Sequence, residues 1–182
     1  MRDYIITYTG KPFYAADPAP ENIDIRDIAH ALSYLCRGNG QVTSFFSVGQ
    51  HCLHCAREAR ARGLSVRVVL GCLLHDGSEA YMCDVPRPYK QYIPGYRQQE
   101  EKLLAEIYKK FIGDSLSPEE LAQIKTVDDD MLWFDLQTLL HGSAEGEKPV
   151  MSTTFSYDVL PFEEVERQYL ALFEELTKEL SR

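Results

Sequence analysis

One short segment of the chain, Val66 to His75, is apolar on nearly every side and is followed at once by an acid. A helix without a polar face has to lie in the middle of its domain, so other helices must pack around it. His75 and Asp76 then lie beside the core. A carboxylate in such a place is costly unless a cation or several hydrogen-bond donors meet it. The segment therefore predicts a helical fold with a polar site near its centre.

Helices are predicted through most of the remaining chain, because apolar residues recur at intervals of three and four. The predicted helices run from Asp24 to Gly38–Gly40, from Val48 to just before Gly63, from about Pro94 to Ile112, from Ser117 to about Leu140, and from Phe162 through Leu176. Ser117-Pro118-Glu119-Glu120 combines a cap, a first-turn proline and a capping-box acid. A short β-hairpin is predicted over residues 4–14. We therefore predict an all-α single domain over residues 1–182, with an N-terminal β-hairpin.

Composition restricts the partners. The chain has 182 residues, a net charge of -9 and no cluster of Lys and Arg, which argues against polymeric nucleic acid. A small anionic substrate is compatible with a locally positive pocket. The longest apolar run, Val68 to Leu74, is far too short to span a bilayer, and no targeting segment is visible. Five cysteines in helical-looking segments favour reduced thiols in the cytoplasm.

The helix predicted from Glu119 to Leu140 places one acid of a triplet on its apolar side. At roughly 100° per residue, Asp128 falls near the middle of the apolar stripe, whereas Asp129 and Asp130 point away from it. Metal ligation explains this placement, and the alternative is a buried Asp satisfied by backbone or Arg donors. Asp135 lies two turns further along the same stripe and is predicted to orient a basic or histidine partner.

His51 and Glu79 complete the candidate site. His51 flanks the apolar side of its helix, whereas His54 is predicted to face away; a lone His51 is otherwise an ordinary core residue. Glu79 follows His75 by four residues, so the two share a face if the helix continues. Two imidazoles and two carboxylates suit Mn²⁺, Co²⁺, Fe²⁺, Ni²⁺ or Zn²⁺. Such an ion activates water and polarises a phosphoryl oxygen, which predicts hydrolysis.

The order His51, then His75-Asp76, then Asp128 resembles that of the HD-domain phosphohydrolases. The similar segments are Asp24–Ser33, Cys36-Arg37, Phe46–His51, Leu74–Tyr81 and Asp84–Lys90. They resemble the compact bacterial and phage branch, which includes 5'-deoxynucleotidases and enzymes that remove triphosphate from dATP. The resemblance covers residues 23–140. It implies hydrolysis of a phosphate ester or anhydride in a small nucleotide, most simply a (deoxy)nucleoside 5'-mono- or triphosphate.

The resemblance also implies a role for each matching residue. It implies one divalent transition metal held by four ligands, which are His51, His75, Asp76 and Asp128. Glu79 would act as general base or acid, and Arg37 would grip phosphate with its planar donors. Lys90 and Arg87 are further phosphate candidates. The alternatives are a helix C-terminal charge for Arg37 and a solvated side chain for Lys90.

Two other features bear on substrate and assembly. Gly38 stands where related enzymes often carry a bulky residue, so the base preference stays open. We also expect a homo-oligomer, a dimer or larger.

Two other functions are compatible with the sequence. One is a catalytically inactive nucleotide-binding or regulatory domain on the same fold. The other is a structural zinc module that uses His51, Cys52 and Cys55, of which only residues three or four apart share a helix face.

Overall fold

The protein is described by a computed structural model that covers residues 3–142 and 144–182. It is mostly helical, which confirms the predicted fold class. The helices are α1 (Ile25–Tyr34), α2 (Val48–Ala61), α3 (Val66–Leu74), α4 (Glu79–Met82), α5 (Arg87–Lys90), α6 (Tyr96–Ile112), α7 (Pro118–Leu139) and α8 (Phe162–Leu180). Short 3₁₀ turns lie at Pro20–Asn22 and Arg37–Gly40. The hairpin is present as β1 (Ile5–Ile6) and β2 (Pro12–Phe13), with Ile5 opposite Phe13.

α3 is the central helix, as its apolar sequence predicts. Residues 68–74 are all buried, and α2, α6, α7 and α8 pack around them. The crossing with α7 is so close that a side chain at Gly71 would collide with Ile124. Because α3 is enclosed, the polar pair that follows it lies next to the core.

Side-chain caps set the start of several helices. The side chain of Asp24 accepts from the Arg26 backbone N–H at the start of α1, and Ser117 forms the predicted capping box at α7. Ser47 forms a second capping box at the start of α2, which fixes the register of His51 one turn later. Each cap stabilises its helix by about 1 kcal/mol.

The end of α1 differs from the prediction. The helix stops at Tyr34 rather than near Gly38–Gly40. The chain then becomes extended, and the Arg37 backbone N–H donates to the Phe46 carbonyl at 2.8 Å. Gly38 and Asn39 have φ values of 59° and 54°, which a right-handed helix does not allow. Arg37 therefore begins a separate 3₁₀ turn beyond the helix rather than lying in the last turn of α1.

The chain returns from α7 to α8 through an irregular stretch, and we call residues 149–161 the return segment. Its backbone is fastened to α2: the N–H groups of Ser152 and Thr153 donate to the fully buried Glu58 carboxylate at 2.8 and 3.1 Å. Gln50 donates to the Asp158 carbonyl at 3.1 Å. Among residues 3–142 and 144–182, no helix has both the length and the apolar character needed to cross a membrane.

Candidate metal centre

The four predicted metal ligands converge in the structure. His51 comes from the first turns of α2, His75 and Asp76 directly follow α3, and Asp128 lies in the middle of α7. His51 Nε2 lies 3.1 Å from Asp128 Oδ1 and 4.0 Å from Asp76 Oδ2. His75 Nε2 lies 3.3 Å from Asp76 Oδ1 and 3.5 Å from Asp128 Oδ1. Atoms bound to one ion through bonds of about 2.1 Å lie about 3 to 4.2 Å apart, so these separations fit a shared ion.

Both imidazoles are oriented with Nε2 towards this centre. The Nδ1 atom of His75 lies 2.8 Å from the Cys72 carbonyl oxygen, to which it can only donate, so in the neutral ring the lone pair is on Nε2. The Nδ1 atom of His51 lies 2.9 Å from Asp135 Oδ2. A metal-binding histidine typically has its second nitrogen held by a carbonyl or a carboxylate in this way.

Four buried polar atoms around the centre make no hydrogen bond within the described part of the chain: His51 Nδ1, His75 Nε2, Asp76 Oδ2 and Glu79 Oε2. Of these, His51 Nδ1 still has the ion-pair contact with Asp135. A buried polar atom without a partner costs about 1–3 kcal/mol. A cation between the imidazoles and carboxylates would satisfy His75 Nε2 and Asp76 Oδ2 together. The donor set and its unpaired atoms therefore fit a divalent ion.

Two thiols lie at the same centre. Cys55 Sγ is 3.5 Å from His51 Nε2, and one ligand atom each from His51, Cys55, His75 and Asp128 lie within 4.8 Å of one another. Cys52 groups in the same way with His75 and Asp76. Cys52 and Cys55, the cysteines of the alternative zinc module, thus lie beside the predicted ligands and do not form a separate site. The structure contains a buried His/Cys/Asp group at metal-binding distances.

Protonation is strongly perturbed at this centre. Burial lowers the pKa of His75, but the Asp76 and Asp128 carboxylates outweigh it and hold that pKa well above its usual value. The pKa of His51 is raised in the same direction, although burial and Arg37 oppose the shift. Burial raises the pKa of Asp128, but the two imidazoles outweigh it and lower that pKa well below its usual value. An incoming ion must therefore displace protons from the imidazoles.

Arg37 lies beside the predicted ligands with only 13% of its side chain exposed. Its Nη2 is 3.0 Å from Asp135 Oδ2, and its Nη1 is 3.6 Å from Asp76 Oδ2. Burial opposes the charged form, but Asp135 and Asp76 outweigh it and raise the pKa of Arg37. A fixed positive charge therefore stands at the edge of the centre.

A cavity of about 360 Å³ opens over the centre. Its polar lining contains every predicted substrate-binding and catalytic residue. These are Arg37, Glu79, Arg87 and Lys90. The lining also contains Asp84 and two of the predicted metal ligands, Asp76 and Asp128. The rest of its lining is largely apolar and includes Val85, Pro86, Leu132, Leu136, Leu139 and Leu140. One anionic and one apolar group could be accommodated together in a cavity of this size and lining.

Glu79 begins α4 and is 5% exposed. The helix does not continue from α3 into α4, and a turn between them brings Glu79 back to the cavity. Burial, reinforced by the Asp76 and Asp84 carboxylates, raises the pKa of Glu79 well above its usual value. Proton donation is favoured at a carboxyl group of this kind. Sequence reasoning gave no role to Asp84, whose only signal was its place in the segment Asp84–Lys90.

The two other cationic residues are already paired. Lys90 Nζ lies 2.6 Å from Glu100 and 3.7 Å from Glu79, so it is not simply a solvated lysine. Arg87 contacts Asp128 Oδ2 and lies 2.7 Å from Asp129 Oδ1. His54, predicted to face away from the core, is instead buried between the rings of Phe46 and Phe155. The return segment covers that side of α2. Because this segment is irregular, helical periodicity could not predict that it would bury His54.

The fold and the centre define a helical protein with a buried group of potential metal ligands. No family model matches the chain. Uncharacterized protein YfdR of Escherichia coli K12 is 36% identical over 129 residues, which are 71% of this chain and 68% of that protein. The chain therefore belongs to the family of YfdR. An uncharacterized protein of Rhodobacter capsulatus is 35% identical over 127 residues, and the match spans 64% of its length, slightly under two thirds.

Proposed function

We propose that this protein is a divalent-metal-dependent phosphohydrolase of the HD-domain type. Its substrate would be a small nucleotide, a (deoxy)nucleoside 5'-mono- or triphosphate. The observation that carries the proposal is the approach of His51, His75, Asp76 and Asp128 to one another within 4.0 Å. Asp76 and Asp128 also line a cavity that contains Arg37 and Glu79. An acid, a fixed cation and a metal-binding group in one cavity are the components of phosphoryl hydrolysis.

The proposed chemistry divides the work between the ion and the protein. When bound, a divalent ion such as Mn²⁺, Co²⁺, Fe²⁺, Ni²⁺ or Zn²⁺ lowers the pKa of water and polarises a phosphoryl oxygen. Arg37 binds the phosphate oxygens. As the water oxygen forms its bond to phosphorus, the bond from phosphorus to the leaving oxygen breaks. Glu79 takes part in both proton transfers: as an acid it gives a proton to the leaving oxygen, and as a base it takes one from the attacking water.

The cavity also supports the substrate class. Arg37, Lys90 and Arg87 place three cations in a lining that also holds five carboxyl groups, so an anion would be favoured there once a divalent ion offsets the carboxylates. The apolar lining around Leu136 and Leu140 suits the uncharged end of a nucleotide. Polymeric nucleic acid is not favoured, because the cationic residues line a cavity rather than an extended surface.

The test is hydrolysis of a nucleotide panel by protein freed of metal and reloaded with each of the five ions. Nucleoside and deoxynucleoside mono- and triphosphates are compared, and the product is identified as phosphate, pyrophosphate or triphosphate. We expect release with at least one ion and none after chelation. If ion-loaded protein binds nucleotides but cleaves none of them, the inactive nucleotide-binding domain becomes the better account.

A second candidate is a structural zinc site, which the position of Cys55 near His51 favours. Zn²⁺ retained in His75→Ala but lost in a Cys52→Ser/Cys55→Ser double variant would support it. The opposite pattern supports the phosphohydrolase.

A further inference from the structure

We propose that Tyr157, in the return segment, is a positioning residue for the metal centre and acts through Asp135. The inference rests on the proposed metal site, but it concerns how the ligands are held rather than which reaction follows. It would make the return segment a functional part of the centre.

The Asp135 carboxylate is shared between three partners. It is 2% exposed and lies on α7, two turns after Asp128. Its Oδ2 atom lies 2.9 Å from His51 Nδ1 and 3.0 Å from Arg37 Nη2. Its Oδ1 atom accepts a hydrogen bond from the Tyr157 hydroxyl at 2.9 Å. One oxygen therefore serves the metal centre, and the other is held by Tyr157.

This division makes the tyrosine important for orientation. Both inward contacts use the same oxygen, so they leave the carboxylate free to tilt about that atom. The Tyr157 hydroxyl fixes the other oxygen and thereby the plane of the group. If the plane is lost, the Nδ1 side of His51 is no longer held in one direction, and Nε2 is less well aimed at the ion.

Tyr157 is itself well supported. Its ring packs on Phe46, with the two ring centroids 5.1 Å apart, and edge-on against His54 at 5.8 Å. The next residue, Asp158, is tied to α2 through the bond from Gln50. A rigid ring on a fastened backbone positions a hydroxyl more accurately than a long flexible side chain does.

The test is the affinity for Zn²⁺ alone, measured by competition with a chelating dye in wild type, Tyr157→Phe, Asp135→Asn and the double variant. We expect Tyr157→Phe to weaken binding about tenfold, the lower end of the range for outer partners of a metal ligand. Because Tyr157 acts through Asp135, its removal should have no further effect in the Asp135→Asn background. Phe155→Leu is the matched control, since it loosens the same segment against His54 but keeps the hydroxyl.

The outcomes separate the proposals. Zn²⁺ affinity of Tyr157→Phe within about twofold of wild type overturns the inference, as does a full second loss in the double variant. An equal loss in Phe155→Leu also overturns it, because general loosening would then account for the effect. Wild-type protein that binds Zn²⁺ but cleaves no nucleotide with any ion overturns only the proposed reaction, whereas absence of Zn²⁺ binding overturns both.

Discussion

Asp128 and Asp130 are two residues apart on α7 and have different surroundings. Asp128 faces both imidazoles, whereas Asp130 pairs with Arg62 at 2.8 Å. We expect Asp128→Asn to weaken metal binding by more than the roughly 10- to 100-fold typical of an outer partner, because a direct ligand loses its charge. Calorimetric titration with Mn²⁺ or Zn²⁺ measures this. Asp130→Asn is the control and should bind the ion as wild type does; equal affinities in the two variants would remove Asp128 from the centre.

Glu79 allows binding and turnover to be separated. Its carboxyl group lines the cavity but does not belong to the group of potential ligands. Glu79→Gln keeps the shape and loses the proton exchange, so we expect a fall in kcat of about 10²- to 10⁴-fold with metal affinity unchanged. Steady-state kinetics and a metal titration on the same sample provide both values. An unaltered kcat would exclude Glu79 from proton transfer.

Residue by residue, the sequence could predict the acids of α7 and the basic or histidine partner of Asp135, which the structure shows as His51 and Arg37, but not every neighbour of the centre. Asp128 and Asp135 fall on the apolar stripe of a long helix, and helical phase alone gives that result. Tyr157 and Cys55 carried no comparable signal. Tyr157 lies in an irregular segment where periodicity says nothing about direction, and a cysteine on a buried helix face looks the same whether it faces a leucine or an imidazole.

At the scale of elements, Glu58 joins the end of α2 to the return segment. Its carboxylate accepts from Arg62 Nε at 2.7 Å and from two backbone N–H groups. Glu58→Gln removes the charge from these buried bonds, so we expect a loss of about 2 kcal/mol in the free energy of unfolding. Urea denaturation measures it. Glu174→Gln, which breaks an exposed pair with Lys178, should change stability by under about 0.5 kcal/mol, and a similar value for Glu58→Gln would contradict the anchoring role.

The elements themselves were largely predictable, because caps and apolar periodicity are local. Ser117 and the apolar run of α3 gave boundaries close to those observed. The end of α1 was not predictable, because the helical spacing of its apolar residues continues past Tyr34 to Leu35. What stops the helix is tertiary: the extended chain at Cys36 pairs with Ser47, which a local pattern does not contain.

For the molecule as a whole, His54 predicts a loss of stability in acid. Burial lowers its pKa from 6.5 to about 4. As the pH falls, the unfolded chain therefore protonates its His54 before the folded chain does. The stability that neutral, buried His54 contributes above pH 6.5 is lost as the pH falls to about 4. The full effect is at most about 3 kcal/mol.

The measurement is the unfolding free energy against pH, with chelator present, in wild type and His54→Phe. We expect the variant to lose less stability across this interval, and the difference between the two curves cancels the other titrating groups. His141→Asn, at an exposed histidine, should follow wild type. Parallel curves for wild type and His54→Phe would refute the assignment. The predicted homo-oligomer is tested separately, by sedimentation of the ion-loaded protein.

The centre draws its ligand atoms from distant parts of the chain, with His51 and Asp128 separated by 77 positions in sequence. During refolding, the partial site formed by α2 and α3 lacks its carboxylate from α7 until that helix has docked. The rate at which the refolding chain binds the ion would then be limited by the docking of α7, and it would not rise with metal concentration. A fragment ending before Pro118 would keep three of the four ligands and hold the ion only weakly.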